Sequence, residues 1–107
     1  MRRHRRRAAG GSHARLAERG HELRQILSAM RELARSPWTP TDLAELLGCS
    51  ERTVRRYVVA ITAAGVEVER QRHGAGEGSY TLYWIRPETI RRAFGLPATR
   101  RVSLLRW

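Results

Sequence analysis

Three arginines, Arg52, Arg55 and Arg56, lie within two turns of a predicted helix. Arg52 and Arg56 are four residues apart, so both side chains project from one face of that helix. A guanidinium group can bind a phosphate, or pair with guanine O6 and N7 in a major groove. Ser50 and Thr53 add hydroxyl groups at the start of the helix, where free N–H groups attract anions. The pattern predicts base contacts by Arg52 and Arg56, and phosphate contacts by Arg55.

The alternative is a solvated helix face with no specific ligand, because charged outer faces are usual for surface helices. Such a face normally mixes acidic with basic residues. Here no acidic residue occurs between Arg52 and Val66. The absence favours binding to a polyanion over simple solvation.

The elements around these residues predict two short helices joined by a tight turn. Thr39 can cap the first helix, and Pro40 suits its first position. Gly48 is typical of a helix end, and Ser50 can cap a second helix over 50–64. The predicted buried face of the first helix is Leu43, Leu46 and Leu47. Two helices in this arrangement form a helix-turn-helix.

A β-hairpin is predicted after the second helix. Residues 66–70 alternate apolar and charged types, and residues 80–85 are rich in aromatic and β-branched types. Between them, residues 71–79 contain three glycines and predict a long, flexible wing. Basic residues beside these glycines can contact an adjacent minor groove or backbone; they are Arg70, Arg72 and His73.

The N-terminal region predicts a basic arm followed by a helix. Residues 1–12 have nothing to bury and predict disorder. Their arginines either lie along phosphates or a minor groove, or belong to a solvated terminus. The possible arm contacts are Arg2, Arg3, Arg5, Arg6 and Arg7. Apolar residues at helical spacing then predict a helix ending near Arg35, which either begins near Ser12 or breaks at Gly20. Trp38 enters the core or forms a first short strand.

The C-terminal extension, residues 86–107, predicts a short helix and a tail. Residues 87–94 suit a helix with Ile90 and Phe94 packed inward and Gly95 at its end. The tail over 100–107 mixes apolar residues with three arginines. It can fold back on the domain or build a dimer interface, and an acidic membrane surface is a weaker alternative.

Composition limits the classes of function. The chain has a formal net charge of +11 and a pI near 11.6, and all its basic residues are arginine. It contains no long apolar run, no apolar signal segment and no pair of cysteines, so we expect an intracellular, soluble protein. The four histidines lack metal-ligand spacing, and no catalytic or phosphate-loop motif occurs. We therefore expect no enzyme activity, cofactor, metal, membrane contact or small-molecule ligand.

Three stretches of the chain resemble a known family. They are LAELLGCS over 43–50, SERTVRRYVVAITAAGV over 50–66 and GSYTL over 78–82. They are similar to the DeoR-type helix-turn-helix found at the N-terminus of WYL-domain transcriptional regulators. Tyr57 replaces the family's aspartate, Cys49 replaces a valine and is interpreted as a core residue, and nothing after Trp84 resembles a sensor domain. The resemblance covers roughly residues 21–82 and implies DNA binding.

These observations predict an α+β, mostly helical fold. It is a winged helix-turn-helix over 13–85, with a three-helix core, a hairpin wing and the two flanking extensions. The predicted function is sequence-specific binding of double-stranded DNA by a small regulator, a repressor, that acts as a homodimer in the cytoplasm at the nucleoid. An architectural or recombination and replication accessory protein is one alternative. A winged helix used as a protein-interaction module is another.

Overall fold

The computed structural model describes residues 2–95, and side chains from residue 13 onward. Within that range the order of elements is three helices, a hairpin and a short helix. They are α1 (Arg2–Arg35), α2 (Pro40–Leu47), α3 (Glu51–Ala63), β1 (Glu69–His73), β2 (Tyr80–Trp84) and α4 (Pro87–Ala93). This order confirms the predicted winged helix-turn-helix architecture.

Helix α1 is longer than predicted. It begins at Arg2 and continues through Gly20 without a break. Residues 2–12 therefore lie in a helix, whereas the sequence predicts a disordered arm over 1–12. Arginine and alanine dominate the first nine residues and are good helix formers, so the helix can extend beyond the part that packs on the core.

Local side-chain caps build the helix-turn-helix as predicted. The Asp42 N–H donates to Thr39 Oγ1 at 3.1 Å, and Pro40 occupies the first position of α2. Gly48 ends α2 with φ of 69°, a left-handed conformation that glycine adopts without a steric penalty. The Thr53 N–H then donates to Ser50 Oγ at 3.1 Å and starts α3. These caps fix the turn and therefore the direction in which α3 leaves it.

The core lies between α1, α2, α3 and the end of the hairpin. Its largest fully buried side chains come from all of these elements. They are Leu33, Leu43, Val54, Ile61, Val66 and Ile85. Leu46, which was predicted on the buried face of α2, is mainly exposed. The prediction was wrong there because the core side of an eight-residue helix is narrow, and Leu43 and Ala44 fill it.

Cys49 packs against this core, as predicted for a small core residue. Burial raises the pKa of the Cys49 thiol above its ordinary value, so the reactive thiolate is disfavoured at neutral pH. Tyr57 of α3 is buried in the same core, and burial is also the main cause of the raised pKa of its phenol. Both groups stay uncharged near neutral pH.

The hairpin differs from its predicted boundaries. Val66 is fully buried but lies before the first strand. Its N–H donates to the Ile61 carbonyl at the end of α3 and not to a neighbouring strand. Strand β1 instead covers Glu69–His73 and pairs antiparallel with β2, from Glu69 opposite Trp84 to His73 opposite Tyr80. The first three residues of the predicted flexible wing are therefore strand residues.

Trp38 fulfils both of the roles considered for it. Its backbone exchanges two hydrogen bonds with Tyr83, at 2.9 and 2.8 Å, and so adds a bridge to the edge of the hairpin. Its side chain packs against the core, and the indole N–H donates to the Glu32 carbonyl at 3.1 Å. This residue ties the end of α1 to the hairpin.

Helix α4 occurs where it was predicted. Ile90 packs against the core, as expected, but Phe94 is half exposed. The helix ends at Ala93, which packs against the core beside Gly65. Ala93, and not the larger Phe94, therefore faces inward. The predicted tail over 100–107 lies outside the described residues.

Candidate nucleic-acid interface

The outer face of α3 is a ridge of exposed side chains. Val54, Tyr57 and Ile61 anchor the opposite face in the core. Arg52, Arg55 and Arg56 are all exposed, as predicted from their spacing. A rigid, capped helix thus presents three guanidinium groups to solvent on one side.

Val59 lies on the same ridge and was not singled out as a site residue. It is 67% exposed and follows Arg52 by seven residues and Arg55 by four. An exposed valine on a cationic face suits contact with a thymine methyl group. Its helical spacing from the arginines is the sequence signal that could have identified Val59 as a site residue.

The N-terminus of α3 carries a hydroxyl pair. Ser50 Oγ and Thr53 Oγ1 lie 3.0 Å apart, and either hydroxyl can donate to the other. One hydroxyl proton of the pair therefore stays available to an external acceptor such as a phosphate oxygen. Glu51 is the acid in this turn, and it accepts a hydrogen bond from Thr41 at 2.8 Å.

A polar cleft separates the start of α3 from the hairpin. Arg55 from α3 and Arg72 from β1 both line it. Thr39 and Thr41 supply hydroxyl groups from the start of α2, and Tyr80 adds a half-exposed phenol from β2. Sequence spacing could not place Arg55 and Arg72 together, because the two residues are 17 positions apart on a helix and a strand that meet only through the tertiary fold.

The hairpin orients its basic residues on a strand. The Arg72 Nη2 group donates to Ser79 Oγ at 2.7 Å across the loop, which limits the motion of that guanidinium. The His73 ring stacks on Tyr80, with ring centroids 5.4 Å apart. Arg70 lies two residues before Arg72 on the same face of β1, and it lines a shallow groove together with Val59 of α3. Arg70, Arg72 and His73 thus stand on a paired strand rather than on a loose loop.

The predicted arm residues belong to the first turns of α1. Arg2, Arg3, Arg5, Arg6 and Arg7 lie in that helix, and their side chains are outside those described. Among the described residues, no three histidine, cysteine or acidic side chains cluster as they would around a metal ion. Over the same part of the chain, no helix has the length and apolar character needed to span a membrane.

Comparison with known proteins agrees with this geometry. The sequence model of a family described as an HTH domain matches residues 22–76, which is slightly more than half of the chain. The chain belongs to this helix-turn-helix domain family. The matched residues contain the packed part of α1, both helices of the helix-turn-helix and the first strand.

A solved structure shares the fold of this helix-turn-helix protein. It is a possible transcriptional regulator from Methanosarcina mazei Go1, with 21% sequence identity and a TM-score of 0.53. The similarity covers 69% of this chain and 62% of the archaeal chain. No curated protein sequence gave a significant match.

Arg56, on the ridge of α3, already forms an ion pair. The Arg56 Nη2 atom lies 3.4 Å from Glu22 Oε1 on α1, and both side chains are exposed. Exposed pairs of this kind contribute at most about 1 kcal/mol, so a stronger anion can take the place of Glu22. The pair holds Arg56 toward α1 in the free protein.

We expect replacement of Glu22 by glutamine to raise affinity for duplex DNA by roughly 2- to 5-fold, because Arg56 is released and a negative charge is removed. Fluorescence anisotropy with a labelled duplex measures the change. Glu18→Gln is the matched control, since it removes the same charge from α1 without an ion pair to Arg56 in the described structure. Equal gains from both variants would contradict a specific role of the Glu22–Arg56 pair.

Proposed function

We propose that this helix-turn-helix protein binds double-stranded DNA sequence-specifically and acts as a small transcriptional regulator. Helix α3 enters the major groove, and the hairpin contacts the adjacent backbone or minor groove. The observation that carries the proposal is the exposed cationic ridge of α3, whose arginines stand on a helix that is capped at Ser50 and anchored by Tyr57 and Ile61.

Base reading is assigned to Arg52 and Arg56. A helix fits the major groove, and each bidentate arginine–guanine pair discriminates by about 1–3 kcal/mol against other bases. Arg52 has no ion pair among the described residues, whereas Arg56 must first leave Glu22. Val59 adds an apolar contact on the same ridge, on the C-terminal side of the arginines.

Phosphate binding is assigned to the cleft and the start of α3. Arg55 and Arg72 line the cleft from two sides, so a DNA strand that follows it meets both guanidinium groups. The hydroxyl pair of Ser50 and Thr53 lies at the positive end of α3 and supports the same role. Arg70 and His73 extend the contact along the hairpin.

Repression is the simplest regulatory role for a winged helix that binds a promoter, and we infer that role here. A single winged helix reads few bases, and two copies on a palindromic site read twice as many. Occupation of a promoter by a homodimer then blocks transcription without an effector domain. The DeoR-type resemblance and the description of the structural neighbour as a possible transcriptional regulator support a role in regulation. A non-enzymatic role at the nucleoid, with DNA as the partner, follows from it.

Selection of bound duplexes from a random library, followed by salt titration of the best site, tests the proposal. With about 5–8 phosphates contacted per dimer, we expect log affinity to fall against log salt with a slope of about −4 to −7. A palindromic consensus is the expected selection result. A slope near zero would exclude the proposed phosphate contacts.

Two other outcomes would favour the alternatives. Selected sites that footprint at an attachment or replication locus, away from promoters, favour the accessory role. Weak binding to every duplex even at low salt favours a protein-interaction module. In that case the double variant Arg52→Ala with Arg56→Ala would leave that weak binding unchanged.

A further inference from the structure

Helix α1 carries a row of exposed apolar residues that the core does not use. Leu16, Leu23 and Leu27 are 61%, 56% and 49% exposed. Gly20 lies between them, so the four positions are spaced by four, three and four residues. That spacing is the repeat of a coiled-coil seam. These four residues are called the α1 seam.

The α1 seam is distinct from the face that packs on the domain. Ala29, Met30 and Leu33 are the residues of α1 that enter the core, and all lie in its last third. At 1.5 Å per residue, the 34-residue helix is about 51 Å long. Most helices in proteins are stabilised by packing rather than by propensity, so the exposed apolar residues over 16–27 call for a partner surface.

We infer that the α1 seam pairs with the same seam of a second copy, with the two helices antiparallel. The seam is symmetric about the bond between His21 and Glu22. An antiparallel partner therefore places Leu16 against Leu27 of the second copy, and Gly20 against Leu23 of the second copy. A Cβ atom at Gly20 would meet nothing within 4 Å, so the surface there is open to receive the opposing leucine.

The flanking charges select this orientation. In a parallel pair, Arg19 would lie beside Arg24 of the second copy on both sides of the seam, and like charges there repel. In the antiparallel pair, the nearest flanking partner of Arg19 is Ile26, and that of Arg24 is Ala17. The parallel arrangement would also stack Gly20 on Gly20 and leave a gap.

This pairing deepens the proposed function, since it supplies the dimer that a palindromic DNA site requires. It depends on that function only for its use on DNA, because the contact itself is between two copies of α1. The test can therefore separate the two proposals. Oligomeric state is measured without DNA, and DNA binding is measured on a single half-site.

The first experiment is sedimentation equilibrium of the full chain and of the double variant Leu23→Asp with Leu27→Asp. We expect a dimer for the unmodified chain, and a dissociation constant raised by roughly 100-fold or more for the variant. Leu46→Asp on α2 is the matched control, because Leu46 is 53% exposed and lies outside the seam. Circular dichroism checks that helix content is retained.

The outcomes distinguish the possible occupants of the seam. A monomeric unmodified chain, or a double variant that stays dimeric, would overturn the inference. In the first case the seam does not pair two copies, and in the second the dimer uses another surface. Arg52→Ala is expected to leave the dimer intact, so loss of DNA binding by that variant does not affect this proposal.

Disulfide cross-linking tests the orientation. In a Cys49→Ala background, Leu16→Cys and Leu27→Cys chains are oxidised separately and as a mixture. Antiparallel pairing predicts a cross-linked dimer in the mixture only, because residue 16 of one copy faces residue 27 of the other within disulfide reach. A cross-linked dimer formed by either variant alone would show a parallel pair.

Discussion

Replacing Arg52 with alanine is expected to lower affinity for the selected DNA site by roughly 5- to 150-fold, which corresponds to about 1–3 kcal/mol. The loss should be confined to sequences with the preferred base pair, since Arg52 stands on the ridge of α3 and has no competing ion pair among the described residues. Affinities for the selected duplex and for its single-base variants measure the effect.

Arg72→Ala is the contrasting variant. Its guanidinium is held by Ser79 and lines the cleft with Arg55, so it is expected to contact phosphate and not a base edge. Affinity should fall alike for all sequences, and the magnitude of the salt slope should decrease by about one. The same sequence profile for both variants would mean that the base-reading residues are assigned wrongly.

The second large effect concerns stability. Leu33→Ala is expected to lower the free energy of unfolding by about 2–5 kcal/mol, because a fully buried leucine leaves a cavity. Leu33 is 1% exposed and lies where α1 meets the hairpin, and its carbonyl accepts a hydrogen bond from the Ile85 N–H at 2.9 Å. The free energy of unfolding of a small domain is about 5–15 kcal/mol in total, so Leu33→Ala removes a large share of it.

Urea unfolding followed by circular dichroism measures this loss. Leu46→Ala is the matched control, because its side chain is mainly exposed and its removal should cost about 0.5 kcal/mol or less. A similar midpoint shift for both variants would mean that α1 does not complete the core. DNA binding by Leu33→Ala should recover at low temperature and low denaturant if the site itself is intact.

Local chemistry explains why the helix-turn-helix could be predicted in detail. Thr39, Pro40, Gly48 and Ser50 each act within one turn of their own helix end. Their effect does not depend on distant packing, so residue type and order suffice. The outward position of Arg52 and Arg56 follows in the same way from the 3.6-residue period and the apolar residues on the other face.

Boundaries that depend on distant contacts were predicted less well. Val66 belongs to a segment with the alternating pattern of a strand, but it is buried in the core before β1 begins. His73 belongs to β1 because Tyr80 pairs with it across the hairpin, although a glycine-rich loop begins at the next residue, Gly74. Phe94 was predicted inside on helical period alone, and Ala93 occupies that place.

The arginine face shows both contributions. The sequence by itself determined which residues face outward on α3 and that the helix starts at a side-chain cap, since both properties are local. Only the tertiary structure decided that Arg56 pairs with Glu22 and that Arg55 shares a cleft with Arg72. Those partners come from α1 and β1, and elements that are distant in the chain meet only when the common core buries their apolar faces.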